Sequence, residues 1–298
     1  MKREDVLELF QNISVWKRGS QRAPHKPLLI LYALGKYNRG EDRLLPYTEV
    51  DSYLRNLLLE FGPPRKSIHT EYPFWRLQND KVWVLENKEQ LKRRKSNTEP
   101  LKSELVKYNI PGGFTEPIYE LLCKDKSLVR AVATIVLENN FPNSMHEDLL
   151  NAVGLDISEA VSSERAKRDP TFRERVMRAY EYSCTVCGFD LRLGNANVGL
   201  EAAHIKWHQA GGPDTEDNGF ALCILHHKLF DRGAFTISAG YQVFVSQKAY
   251  GSHGMDEWLL RFHGQEIRDP QSPAYLANQK YLKWHQAEVF KGPARFVG

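Results

Sequence analysis

Apolar positions recur at helical spacing over residues 2–12 and again over 24–38, PHKPLLILYALGKYN, where a proline-bounded start leads into a Leu- and Ala-rich run. Residues 46–61, PYTEVDSYLRNLLLEF, predict a third helix, stopped by Gly62-Pro63-Pro64. YPFWRL and KVWVLE flank QND and predict a short hairpin. One or two further helices are expected over 116–137 and a short one over 142–150. TFRERVMRAYEYS predicts a helix leading into Cys184, and LEAAHIKWH predicts a strand ending at His204. CILHHKLFD predicts another helix, AFTIS and YQVFVS are β-like, and SPAYLANQKYLKWHQAEVF predicts a C-terminal aromatic helix. Lone Cys123, in a helical stretch, is expected in the core.

This order gives an α+β chain of two domains. A mainly helical N-terminal domain with a short hairpin covers 1–160, and a C-terminal domain covers 161–298. The junction is placed in the charged stretch SSERAKRDP, 162–170. No apolar run is long enough to span a bilayer, and MKREDVLELF lacks the core of a signal peptide, so a cytoplasmic location is expected.

Charge changes the picture. Residues 1–110 hold 21 basic against 14 acidic side chains, residues 111–170 hold 6 against 10, and the remainder is nearly balanced. A basic N-terminal region suits a polyanion, and the KRRK run at 92–95 lies within it.

The chemistry concentrates in the second domain. Cys184 and Cys187 form C-x-x-C followed by Gly188, and Cys223 and His226 form C-x-x-H. Two such pairs supply four ligands for a closed tetrahedral zinc site. Neighbouring side chains on a helix diverge by about 100°, so His227 is left to a second task. Asp231, four residues on, shares its face.

The order His204, Asn218, His227, interleaved with the zinc pairs over about residues 180–237, resembles the HNH endonuclease family with its ββα-metal fold. The resemblance implies that His204 is the general base and that Asn218 ties the loop and orients it. It also implies that His227 holds a catalytic divalent cation, Mg2+ or Mn2+ or similar, with Asp231 a reasonable second ligand. Many members carry Asp or His just before the base. Here Ala203 stands there, and Glu201 is the nearest carboxylate.

APHKPLLIL and TEYPFW, with FGPP between them, are similar to the sulfur-binding domain of restriction endonucleases that cut phosphorothioated DNA. This resemblance spans roughly residues 5–150. It implies that Tyr72 and Pro73 shape an apolar cavity for sulfur, with Trp75 beside them, and that His25 and Lys26 contact the modified backbone. Arg65, Lys66, Arg93 and Arg94 are then candidates for neighbouring phosphates. The expected protein is a type IV, modification-dependent endonuclease acting on phosphorothioated duplex DNA. Because one active centre cuts one strand, double-strand cleavage would call for a homodimer. Recognition of methylated or otherwise modified bases, or a non-cleaving zinc-containing regulator, are the rival readings, and Ala203 keeps the last alive.

Overall fold

Helix α2, His25–Asn38, is apolar on every side, and Pro27 through Gly35 are all buried. Such a helix must be surrounded, and it packs against α3, Tyr47–Phe61, α4, Glu71–Arg76, α6, Glu116–Lys124, α7, Lys126–Asn140, and α8, His146–Val153. The first helix, α1, Arg3–Gln11, lies on α7, and α5, Lys102–Lys107, lies on α3. Strands β1, Leu45–Pro46, β2, Trp83–Leu85, and β3, Pro111–Phe114, form one antiparallel sheet in the order β1-β3-β2. The computed structural model describes residues 1–16, 19–95, 97, 99–155 and 171–296.

Two compact units result: Met1–Arg18 with Ala23–Glu164, and Gly19–Arg22 with Arg165–Gly298. The junction expected at 162–170 lies outside the described residues. Among these residues no helix is long and apolar enough to cross a membrane.

The expected 72–86 hairpin does not form. YPFWR lies in α4, where Pro73 occupies the first turn and its missing N–H leaves no helical bond unmade. Strand β2 pairs instead with β3, Trp83 opposite Phe114 and Leu85 opposite Gly112. The sequence PGGF reads as a breaker, yet its glycines permit close approach: a Cβ on Gly113 would lie 1.9 Å from the Arg43 carbonyl oxygen. Cys123 is exposed rather than core, because α6 buries Ile118 and Leu122, and Cys123 falls off that stripe.

The second unit opens with α9, Phe172–Ala179, and a small hairpin of β4, Arg192–Leu193, and β5, Ala196–Asn197. Strands β6, Leu200–His204, and β7, Gly219–Cys223, pair antiparallel from Leu200 opposite Cys223 to His204 opposite Gly219. Helix α10, Ile224–Asp231, follows without a gap, capped by the extended Cys223. Then come β8, Phe235–Ile237, paired with β9, Val243–Val245, and helices α11, Met255–Trp258, and α12, Gln279–Glu288.

The predicted C-terminal helix is shorter than expected: Pro273–Tyr275 makes a separate turn, and the Asn278 side chain caps α12 by accepting from the Lys280 N–H. Tyr281, Trp284 and Phe290 are buried within this unit. Phe172, Val176, Phe220, Phe230 and Phe235 join Tyr281 in one core beneath β6, β7 and α10.

Candidate nuclease and nucleic-acid sites

Cys184, Cys187, Cys223 and His226 converge, their ligand atoms all within 4.8 Å of one another. Cys187 Sγ lies 4.0 Å from Cys223 Sγ, and His226 Nδ1 lies 3.1 Å from Cys223 Sγ and 3.7 Å from Cys184 Sγ. A tetrahedral ion bonded to two thiolates sets the sulfurs ~3.8 Å apart, so the spacing fits zinc and is far beyond a disulfide. The turn is tight: Cys184 N–H donates to Phe189 O and Gly188 N–H to Cys184 O. His226 presents Nδ1 to the sulfurs because its Nε2–H donates to Trp258 O at 2.9 Å, the outer-shell bond a metal-binding imidazole needs.

One residue on, His227 leaves this cluster. Its Nδ1 lies 2.7 Å from Glu201 Oε2 on β6, and its Nε2 lies 3.1 Å from Asp231 Oδ2 one turn along α10. Burial opposes a charge on this ring, yet Asp231 and Glu201 outweigh it and hold His227 up at about 9. The three residues expected around a catalytic ion are therefore together, but the carboxylates flank opposite nitrogens. They also differ in access. Asp231 is buried and accepts from Trp207 Nε1–H at 3.0 Å, whereas the Glu201 side chain is 48% exposed. Ala203 is buried and offers no donor.

His204 ends β6 with its ring stacked on Phe172, centroids 4.1 Å apart. Its Nε2 meets Asp214 Oδ1 at 2.8 Å, and because a carboxylate only accepts, Nε2 is the protonated nitrogen of that bond. Asn218 is fully buried. Its Oδ1 accepts from Lys206 N–H, and its amide donates to Lys206 O and Pro213 O, at 2.9–3.0 Å. Both ends of the 205–218 loop are thus tied to one side chain. Gly212 is required inside it, since a Cβ there would sit 1.8 Å from Lys206 O. Asp214 and His208 ride on this loop, and neither stood out as a partner of His204 in the sequence. A carboxylate ten residues away carries no periodic signal.

In the first unit Tyr72 lies half-buried on α4 and stacks on His69, centroids 4.9 Å apart. Its hydroxyl accepts from Arg94 Nη1 at 3.0 Å, and Arg76 lies over its ring at 4.5 Å. Pro73 is buried beside it, and Trp75 has Arg93 over its ring at 5.4 Å. His25 starts α2, and burial, reinforced by the charges of His69 and Arg65, pushes it down to about 4. It is neutral near pH 7. Lys26 is engaged, its Nζ 2.5 Å from Asp80 Oδ2 and 2.8 Å from Ser14 O. Arg65, Lys66 and Arg93 are exposed. His69 and Arg76 were missed by sequence reasoning, because only the α4 turn brings them onto Tyr72.

Residues 3–158 match the ScoMcrA-like DNA sulfur-binding domain family, more than half of the chain. The chain belongs to this family. Residues 184–238 match the HNH endonuclease family, so a DNA sulfur-binding domain and an HNH endonuclease domain share one chain. No curated protein sequence matches.

Among solved structures, the sulfur-binding domain of ScoMcrA complexed with phosphorothioated DNA is 22% identical, with TM-score 0.44, covering 50% of this chain and 94% of that one. The corresponding domain of SprMcrA, in a complex of the same kind, is 22% identical, with TM-score 0.44, 52% of this chain and 95% of that one. The type IV phosphorothioation-dependent restriction endonuclease ScoMcrA matches at 21% identity and TM-score 0.44, over 58% of this chain and 38% of its own.

Proposed function

We propose that this chain is a type IV restriction endonuclease of the cytoplasm that binds duplex DNA through a backbone phosphorothioate and hydrolyses phosphodiester bonds nearby. What carries the reading is the union, in one chain, of a sulfur-binding family domain with an HNH domain in which Asn218 ties the loop beside His204. The second unit acts as a ββα-metal module, β6 and β7 feeding α10.

His204 serves as general base through Nδ1, its other nitrogen held by Asp214 and its plane by Phe172. His227 Nδ1 and Glu201 would hold the catalytic divalent cation, the open side of that ring. Buried Asp231 then acts as a positioning residue, accepting from Nε2–H and fixing the tautomer. Once bound, such a cation neutralises charge on the leaving oxygen. Cys184, Cys187, Cys223 and His226 hold a structural zinc that fixes where α10 begins, and hence where His227 points.

Recognition belongs to the first unit. Tyr72 and Trp75, with neutral His25 nearby, offer sulfur polarisable ring faces, and buried Pro73 backs Tyr72 from inside α4. A normal phosphate oxygen set against those faces loses water there, at a cost of ~1–3 kcal/mol. Arg65, Lys66, Arg93 and Arg94 position neighbouring phosphates. Lys26, already paired with Asp80, is better read as bracing the start of α2 than as a free phosphate contact. Double-strand cleavage proceeds through a homodimer, one centre per strand.

The reading is tested on supercoiled phosphorothioated plasmid with Mg2+ or Mn2+. Wild type nicks it, chelation stops nicking, and His204→Ala is inert. Equal nicking by the His204 variant would remove the HNH assignment.

A further inference from the structure

A second histidine reaches the carboxylate that holds the base. His208 Nδ1 lies 3.2 Å from Asp214 Oδ1, the same oxygen that His204 Nε2 meets at 2.8 Å. The three ligand atoms lie within 4.8 Å of one another, and this group and the zinc-cluster residues are the two sets of that kind among the described residues. Neither Glu201 nor His227 nor Asp231 belongs to it.

We propose that His204, His208 and Asp214 form a second metal site, selective for zinc-class ions, whose occupation switches the base off. Two imidazole nitrogens and one carboxylate oxygen suit a borderline-soft ion with an open fourth position. Magnesium prefers an oxygen shell and would not compete.

The arrangement is preset: Phe172 fixes the His204 ring, and Asn218 clamps the loop that carries the other two ligands. It is also reachable. The His208 side chain is 45% exposed, while His204 and Asp214 are 10% and 16% exposed. A mostly covered pair with one exposed arm lets an ion enter from solvent and settle against ordered ligands.

The chemistry balances simply. In the resting state His204 Nε2 carries the proton donated to Asp214. An ion bound at Nε2 displaces that proton, which passes through solvent to Nδ1 with no net release, so the ring stays neutral and carries its one proton on Nδ1. The lone pair that would accept the water proton is then gone. His208 shifts its own proton to Nε2 through solvent, with no net change.

The metal site itself stands on geometry alone, whereas the inhibition rests on the reading of His204 as base, so two measurements separate them. Full-length protein, washed of loosely held metal until one structural zinc per chain remains, is titrated calorimetrically with ZnSO4. His208→Ala should weaken one zinc equivalent at least tenfold, and Asp214→Asn should do the same. His227→Ala should leave that equivalent in place, which distinguishes it from an ion at Glu201.

In parallel, His208→Ala should nick at the wild-type rate with Mg2+ alone, and should need at least tenfold more zinc for half-inhibition. Identical zinc isotherms for wild type and both loop variants would overturn the site. An altered isotherm with equal zinc inhibition of wild type and His208→Ala would overturn the switch. If wild type never nicks, the nuclease reading fails, while the isotherm still decides the site.

Discussion

His227 Nδ1 lies 2.7 Å from Glu201 Oε2, joining α10 to β6 across 26 residues of sequence, while Nε2 of the same ring lies 3.1 Å from buried Asp231. One imidazole between two carboxylates divides the labour that sequence spacing alone had lumped together. Glu201→Gln should raise the Mg2+ concentration needed for half-maximal nicking at least tenfold. Asp231→Asn should lower the maximal rate more than the metal requirement, because the tautomer is no longer fixed. A Mg2+ titration of the two variants checks this, and the opposite pattern would exchange their roles.

The zinc cluster predicts one tightly held zinc per chain by elemental analysis. Structural zinc sites contribute folding energy on the order of 10 kcal/mol. Cys187→Ser should therefore remove the thermal transition of the second unit and leave the protein aggregating. Normal folding without zinc would contradict the assignment.

His204→Ala should cut the nicking rate at least ~100-fold, the usual scale of a lost general base. DNA affinity should stay within twofold, since phosphate and N-terminal contacts supply it. Paired binding and single-turnover measurements separate the two effects.

His285 gives a pH prediction. It is fully buried against Phe230, with Nδ1 at Thr236 Oγ1 and Nε2–H donated to Phe230 O, and burial pushes it from 6.5 down to about 4. A histidine with a lowered folded value favours the unfolded state as it charges. Stability is therefore full above pH 6.5 and falls as pH drops toward 4, by up to roughly 3 kcal/mol from this group. Urea unfolding of the full chain across that window should show the slope, and His285→Phe should flatten it.

Much of this was legible because helical periodicity is written in every turn. Helices α1, α2, α3 and α10 and strand β6 follow from apolar spacing, and the cysteine pairs announce their cluster by position. Helix α4 was missed because YPFWR is aromatic and β-like by composition, whereas Pro73 is acceptable in a first turn. Strand β3 hid behind PGGF, where glycine serves close approach to Arg43 rather than a turn. Asp214 was invisible for a different reason: it meets His204 across a loop, through a contact that no local pattern encodes. His69 was missed with α4 itself, since its stack on Tyr72 follows from that turn and not from a strand.

Tyr72 is the residue on which discrimination should turn. Its stack on His69 and its bond from Arg94 fix the ring, so Tyr72→Ala should weaken the sulfur duplex more than the all-oxygen duplex. Arg93→Ala, an exposed cation, should weaken both equally and reduce the salt dependence. Filter binding at several salt concentrations reads both.

The most direct test uses two duplexes identical except for one backbone sulfur, presented to the full-length protein with Mg2+ or Mn2+ at one stated salt concentration. The account predicts at least tenfold tighter binding of the sulfur duplex, about 1.4 kcal/mol, and cutting of that duplex alone. Equal affinity and equal cutting of both duplexes would contradict it.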